Sequence, residues 1–428
     1  MATEIDLSST SLEHMVEESG TEFRVRSAIY TDPNIFQQEM REIFEKSWVY
    51  LCHESEVSLP GDYRTSRIGG QPVIIARSKD NEINVLLNVC RHRANAICRE
   101  ERGNSLNFRC PYHGWTYTNT GELLGVSDRP SYPKGFTTED LNLLAAPRVG
   151  TYRGLVFASL SEDVPSLDDH LEQIKEHVDY WADRSLEGEH RVLLPHKYGY
   201  QGNWKFQVDN GVDGYHVGFV HESAFSTYAH FGIGTYGDRP VIKRGDAITR
   251  GYPAGHTTLE SGYADGRGSA RSLPALFEEY QSNLGQRHGP DRAHEIISSR
   301  HLYIFPNVFL FDDLIRVIQP ISAEETEIYS YPFRLGGVPD EFNARRLYEV
   351  TRQLSTSGLV NPADLETFAA NQTGLHASNM EWLVLHRGMD TETEGTSGER
   401  VGKHADETPQ RAFYRHWASV MSKNGARG

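Results

Sequence analysis

Four cysteines in 428 residues are too few for a disulfide framework, which packs far more cysteine into far less chain. An apolar run of eighteen or more is also lacking, and the mean hydropathy is −0.55, so no membrane span is expected. Basic excess is missing as well. The 59 Asp and Glu outnumber the 43 Lys and Arg, giving a net charge of −16, which argues against nucleic acid as a partner. Internal repeats and low-complexity tracts are not evident. Met1-Ala2-Thr3-Glu4 lacks the charged-then-apolar plan of a signal peptide, so a cytoplasmic protein is expected. At one domain per roughly 150 residues, two or three domains are expected. A chain this long buries about 75% of its unfolded surface and needs no metal merely to fold.

What is present is first a change of grain along the chain. Residues 1 to about 22 are acidic and Ser/Thr-rich without period, and read as a loosely ordered arm. Asp32-Pro33 gives an N-cap and a proline at the first helical position, and Phe36, Met40, Ile43 and Phe44 then mark one buried helix face. From Trp48 to about Leu160 short strands take over. Val73–Ala76 and Ile83–Leu87 flank the turn Ser78-Lys79-Asp80-Asn81 as a hairpin, and Leu155–Ala158 closes the block. Pro165-Ser166-Leu167 opens a helix through about Trp181, and residues 230 to 275 read as long loops with brief strands. Leu302 to Phe333 predicts a meander of three apolar runs broken at Pro306-Asn307, Asp312-Asp313 and Ala323-Glu324-Glu325. Helices follow over Asp340 to about Leu354 and after Asn361-Pro362. The fold class is α+β. An arm and helix over 1–46 pack on the larger domain; an all-β domain spans 47–160; an α+β domain with an antiparallel sheet and flanking helices spans 161–428.

Histidine, at 19, is the informative count. Within the β block lie Cys90-Arg91-His92 and Cys110-Pro111-Tyr112-His113-Gly114-Trp115. Residues two apart in an extended loop face the same way, so Cys90 and His92 reach one site. Two sulfur and two nitrogen donors suit a structural zinc or a Rieske [2Fe–2S] centre. Zinc fingers usually pair cysteine with cysteine and histidine with histidine. A Rieske centre gives both cysteines to one iron and both histidines to the other, which matches the mixed pairing better. Cys98 and Cys52 have no partner at ligand spacing and read as packed thiols. Arg91, Arg93 and Arg109 flank the loops, either to receive an acidic electron donor or simply as a solvated face.

The larger domain carries Asn203-Trp204-Lys205, then Asp209-Asn210-Gly211-Val212-Asp213-Gly214-Tyr215-His216, then His221. Asp213 and His216, three apart, would share a helix face. His216 and His221 are five apart, about 140° around a regular helix, so they converge only if the helix breaks or widens. Gly218 makes such a break cheap, and the irregularity is expected. Two histidines and a carboxylate on one face of Fe(II) leave positions open for O2 and substrate. Asp364 is the candidate third ligand, with Asn361 as N-cap, Pro362 at N1 and Asp364 at N3. An acid there also suits the helix dipole with no metal at all. Glu366, about 200° further round, would face away.

The two cysteine–histidine loops resemble the Rieske domain of ring-hydroxylating oxygenase large subunits. Ala94 departs from that pattern, because the family carries glycine after His-Arg. The stretch from Asn203 to His221 resembles the same family's iron motif. The resemblance runs from about Ile29 to Trp417. It implies that Cys90, His92, Cys110 and His113 hold the cluster, and that His216 and His221 hold the mononuclear iron. Asp364 matches the carboxylate ligand by its place after the meander. Asp213 matches the acid that links an iron histidine to a cluster histidine of a neighbouring subunit, His113 in this numbering.

The implied activity is hydroxylation or cis-dihydroxylation of an aromatic ring with O2. Electrons would come from a separate ferredoxin or reductase, since no flavin or nicotinamide fingerprint is apparent. Residues 209 to 217 are most similar to the benzoate and anthranilate branch, which implies benzoate, anthranilate, salicylate or indole-3-acetate as substrate. It also implies a trimer, α3 or α3β3 with a small β subunit. A buried cation is expected for the substrate anion; Arg387 and Arg400 lie downstream of Asp364, though a surface role fits either. Phe206, Val212, Val217 and Phe225 lie near the iron motif, with core packing as their default, and residues 230 to 270 suit a lid or a surface excursion. A Rieske monooxygenase or demethylase acting on another centre shares both motifs. An electron-transfer module would need only the first motif, and a zinc-stabilised binding protein would be colourless.

Overall fold

The computed structural model describes residues 12–231, 247–261, 273–377 and 379–425. The chain folds as two compact units, one formed by Met1–Ile43 with His170–Gly428 and the other by Phe44–Asp169.

The unit over Phe44–Asp169 is built from antiparallel strands. Alternating Tyr63, Val73–Ala76 and Val85–Leu86 drive a four-stranded sheet in the order Ile83–Leu87, Gln71–Arg77, Asp62–Ile68, Arg102–Asn104. The expected hairpin turn is present, with the Ser78 hydroxyl accepting from the amides of Asp80 and Glu82 and with Asn81 at φ 67°. Two three-stranded sheets complete the unit: Arg148–Tyr152, Leu155–Ser159 and Val49–His53, and then Leu123–Gly125, Thr116–Thr118 and Asn107–Arg109. One apolar core joins Ile74, Leu86, Phe108, Trp115 and Tyr117 to Cys90, Cys98 and Cys110.

In the other unit a ten-stranded antiparallel sheet dominates. Its centre is the meander Ser299–Ile304, Val308–Leu310, Leu314–Ser322 and Glu325–Leu335: four strands separated by the three expected turns, one strand more than the apolar runs suggested. Asp340–Leu354 and Asn361–Leu375 are helices, as is Thr408–Gly425. The expected helix after Pro165 is broken into Leu167–Leu171, a 3₁₀ turn over Glu172–Ile174, and Lys175–Ala182. Asp32 caps Pro33–Glu39 by accepting from the Asn34 amide at 2.7 Å. The next turn, Met40–Phe44, widens to a π-helix, and Phe36, Met40, Ile43 and Phe44 are all buried.

The N-terminal segment corrects the sequence expectation. Val16–Ser19 and Glu22–Arg26 form a hairpin instead of a loose arm, and Trp382–Val384 extends it to three strands. Arg24 and Arg26 stack on Trp382 at 4.4 and 4.0 Å, a contact across some 360 residues that no local pattern announces. Residues 1–11 and most of the expected lid lie outside the described residues. Among the described residues no helix is long and apolar enough to cross a membrane.

Asn203-Trp204-Lys205 proves to be an anchor. Lys205 Nζ lies 2.7 Å from Glu39, and neither side chain is exposed. Trp204 and Trp417 each donate an indole N–H to Glu39, at 2.8 and 2.7 Å. Asn203 donates to the carbonyls of Tyr30 and Ala323. Removing one partner of a pair buried like this costs about 3–5 kcal/mol, so the network holds the helix Lys205–Gly211 firmly in place.

Candidate metal centres

The two cysteine–histidine loops are near copies of one another. The Cys90 amide donates to the Asn95 carbonyl and the Ala94 amide returns to Cys90; likewise Cys110 donates to Trp115 and Gly114 returns to Cys110. Each loop turns through a left-handed residue, Ala94 at φ 54° and Gly114 at φ 72°. Ala94 thus takes the conformation in which glycine costs least. At the base of the first loop the buried Asn88 accepts from the amides of Ile97 and Cys98 and donates to the Cys98 carbonyl.

Cys90 and Cys110 are buried while His92 and His113 are half-buried, so the thiols face the core and the imidazoles face outward. The rings lie 4.6 Å apart, and His92 stacks on Trp115. His92 Nδ1 is buried with no hydrogen-bond partner, an orphan that a metal bond would satisfy. Burial works against ionisation of Cys110. Even so, the Tyr112 amide, the Cys90 thiol, the His113 amide and Asn95 together hold it below its ordinary value, as a thiolate ligand requires. Two inner sulfurs and two outer nitrogens fit the mixed donor set of a Rieske cluster. Cys98 differs: burial pushes it up to about 12, consistent with a packed thiol. Cys52 is wholly buried and pushed up likewise.

His216, His221 and Asp364 converge, each offering a ligand atom within 4.8 Å of the others. His216 Nε2 lies 3.6 Å and His221 Nε2 3.3 Å from Asp364 Oδ1. The irregularity that this needs is present. The short helix Val217–Val220 stops at His221, whose φ −101°, ψ 16° separates it from the next helix, Glu222–His230. The break falls at His221, while Gly218, which would make a break cheap, sits inside the short helix. Asp213 likewise shares no helix face with His216, because the helix Lys205–Gly211 has already ended. The carboxylate folds back instead, with Oδ2 3.1 Å from His216 Nδ1 and Oδ1 accepting from the Tyr215 amide. Asp213 occupies the Nδ1 side of His216, while the Nε2 atoms of His216 and His221 both face Asp364 Oδ1, so two imidazole nitrogens and a carboxylate oxygen converge with the donor set of a metal ion. Burial pushes His221 below its ordinary value, which keeps it neutral as a ligand must be.

Asp364 is buried and Glu366 exposed, as expected, although the helix begins at Asn361 with Val360 as N-cap, one residue earlier than the sequence suggested. Asn210 was not singled out from the sequence; its amide donates to Asp364 Oδ1 at 3.2 Å. Arg387 and Arg400 are both exposed, Arg387 over the Tyr215 ring and Arg400 facing Glu394, so neither is the expected buried cation. Phe206 packs between Tyr30 and Phe368, the core role that was its default.

The comparisons agree with this geometry. Residues 47–137 match the Rieske [2Fe-2S] domain, and residues 179–423 match the ring hydroxylating alpha subunit catalytic domain. The chain is 37% identical to the large subunit of 2-halobenzoate 1,2-dioxygenase from Burkholderia cepacia, over 86% of this chain and 80% of that one. It is 32% identical to the large subunit of anthranilate 1,2-dioxygenase from Acinetobacter baylyi, over 87% and 82%. The crystal structure of naphthalene 1,2-dioxygenase with indole bound in the active site superposes with a TM-score of 0.85 at 26% identity, covering 96% of this chain and 95% of that one. Two matched domains, one bearing a Rieske [2Fe–2S] cluster and the other a mononuclear iron, place the chain in the alpha-subunit family of ring-hydroxylating Rieske non-haem iron dioxygenases.

Proposed function

We propose that this subunit hydroxylates or dihydroxylates the ring of an aromatic carboxylate of the benzoate, anthranilate, salicylate or indole-3-acetate type. The single observation that carries the reading is the triad His216, His221 and Asp364 in a chain that also has both cysteine–histidine loops. The relatives named for 2-halobenzoate and anthranilate support the carboxylate. Cys90, Cys110, His92 and His113 hold the cluster in the domain over 47–160; His216, His221 and Asp364 hold the iron in the domain over 161–428, on which residues 1–46 pack. When bound, the cluster supplies electrons one at a time and the ferrous ion supplies O2 activation.

The chain's own residues do the positioning. Asp213 fixes the His216 tautomer through Nδ1, and Asn210 holds one Asp364 oxygen. The Asp213 side chain is 21% exposed, enough for its carboxylate to meet His113 of the partner subunit in a trimer, with or without a small β subunit. Arg91, Arg93 and Arg109 are exposed around the cluster loops and suit an acidic ferredoxin or reductase. We place the enzyme in the cytoplasm.

The test is a single turnover of anaerobically reduced protein mixed with O2 and each of the four acids, with the products identified. A hydroxylated or dihydroxylated product from one acid is expected. Reoxidation of an intact cluster with no product from any of them would sink the carboxylate reading.

A further inference from the structure

Six arginines are buried among the described residues: Arg64, Arg77, Arg300, Arg316, Arg346 and Arg411. Five of them face a carboxylate, respectively Glu56, Glu54, Glu295 with Glu260, Asp313 and Glu392. Arg316 does not. It is 4% exposed, its Nη1 donates to the neutral Gln207 Oε1 at 3.3 Å, its guanidinium lies over the Phe311 ring at 4.9 Å, and its Nε is buried with no partner. Burying a guanidinium without a counter-charge is strongly unfavourable, so the missing charge points to an anion that arrives from outside.

Its position says which anion. Arg316 pairs with Phe309 across one neighbouring strand and with Ser330 across the other, so all three side chains share a sheet face. That face lies toward the helix preceding the iron histidines. Gln207 belongs to this helix, a Cβ at Gly211 would meet the Phe309 ring at 2.5 Å, and His301, on the same face, lies 3.0 Å from the Gly211 carbonyl. Arg316 therefore shares a sheet face with half-buried His301, which contacts the end of the helix that leads into His216 and His221.

We propose that Arg316 is the specificity-determining residue that receives the substrate carboxylate, held in aim by Gln207 and Phe311. The inference rests on the aromatic-carboxylate reading above. A planar guanidinium suits a carboxylate better than a lysine would, because it offers two parallel N–H donors.

The test titrates oxidised holoprotein calorimetrically with benzoate, anthranilate, salicylate and indole-3-acetate, and then with the carboxamide of the tightest acid. Wild type should prefer the acid. Arg316→Met should weaken the acid about 100-fold while changing the amide less than about threefold. Arg316→Lys should fall between, keeping the preference but losing about tenfold. Iron content and the visible spectrum of the cluster should match wild type in both variants. A metal-replete variant that keeps the full acid preference overturns the role of Arg316 and leaves the substrate reading standing. Wild type that binds no acid, or binds the amide equally well, overturns the substrate reading itself. If neither variant folds, a crystal of the wild type with the tightest acid decides: a carboxylate on the guanidinium upholds the inference, and one bound elsewhere overturns it.

Discussion

The two proposed metal centres are built on opposite plans. The residues proposed for the cluster sit on two loops of the same design, each closed by its own backbone and rooted in one small core through Cys90 and Cys110. The residues proposed for the iron come from a broken helical segment and from a helix that begins some 140 residues later; they meet where Asp364 contacts His221 and Asn210. A site made of local loops carries its geometry in the spacing of its residues. One assembled by tertiary packing depends on side chains that never touch the metal.

Removing a ligand from each side separates the plans most sharply. Asp364→Ala should drop activity to background and empty the iron site while leaving the cluster spectrum intact, since no described residue near the triad replaces the lost carboxylate. Cys110→Ser should abolish the cluster and also loosen the core it packs in. Metal analysis and visible absorbance of both variants check this; loss of the cluster in Asp364→Ala would show that the two centres are not independent. Next in size, Asp213→Ala should leave both metals bound and stop turnover. Loss of iron instead would make Asp213 a structural residue.

Asn210→Ala should act more weakly. The amide holds one oxygen of Asp364 from outside the ligand set, and removing such a partner typically costs about 10–100-fold in metal affinity. Competition with a chelator measures it, and unchanged affinity would mean that Asp364 is held by its helix alone. At the cluster loops the turn backbone does most of this work, with the Asn95 side chain and the Tyr117 hydroxyl added to Cys110 and Cys90.

What the sequence made legible follows the same division. The loops were readable because residues two or three apart on a tight turn cannot avoid one another. The histidines were readable too, but the break between them lies at His221, with Gly218 simply continuing a helix. The N-terminal hairpin was missed because its residues are polar and its partner strand, Trp382–Val384, is remote. Arg316 was missed for a subtler reason. An arginine between Ile315 and Val317 is visible in the sequence, but that no carboxylate among the described residues pairs with it shows only in the packed domain.

Packing around the iron helix also carries an electrostatic load. Asp209 is half-buried, and although Tyr30 and Tyr414 donate to it, desolvation pushes its carboxyl up to about 7. An unfolded aspartate ionises near pH 3.8. Between that pH and about 7 the folded protein therefore holds the extra proton, and stability falls as pH rises. Asp209→Asn should relieve this by on the order of 2 kcal/mol at pH 8, with the gain shrinking toward pH 4. Unfolding midpoints at the two pH values measure it, and a gain that grew toward acid would contradict the assignment.

The smallest effect tests whether the two cluster loops are as alike as their hydrogen bonds suggest. Both turn through the left-handed region, yet one uses alanine and the other glycine. A non-glycine residue there costs roughly 1–2 kcal/mol, partly offset by the greater freedom of glycine in the unfolded chain, so Ala94→Gly should stabilise by about 0.5–1 kcal/mol. Gly114→Ala should destabilise by more than that gain, because its Cβ would lie 2.7 Å from Ser127 Oγ in addition to the backbone strain. Thermal unfolding of the two oxidised holoproteins compares them directly. If both variants lose stability, the Ala94 methyl contributes packing that outweighs its strain, and the loops are alike in backbone only.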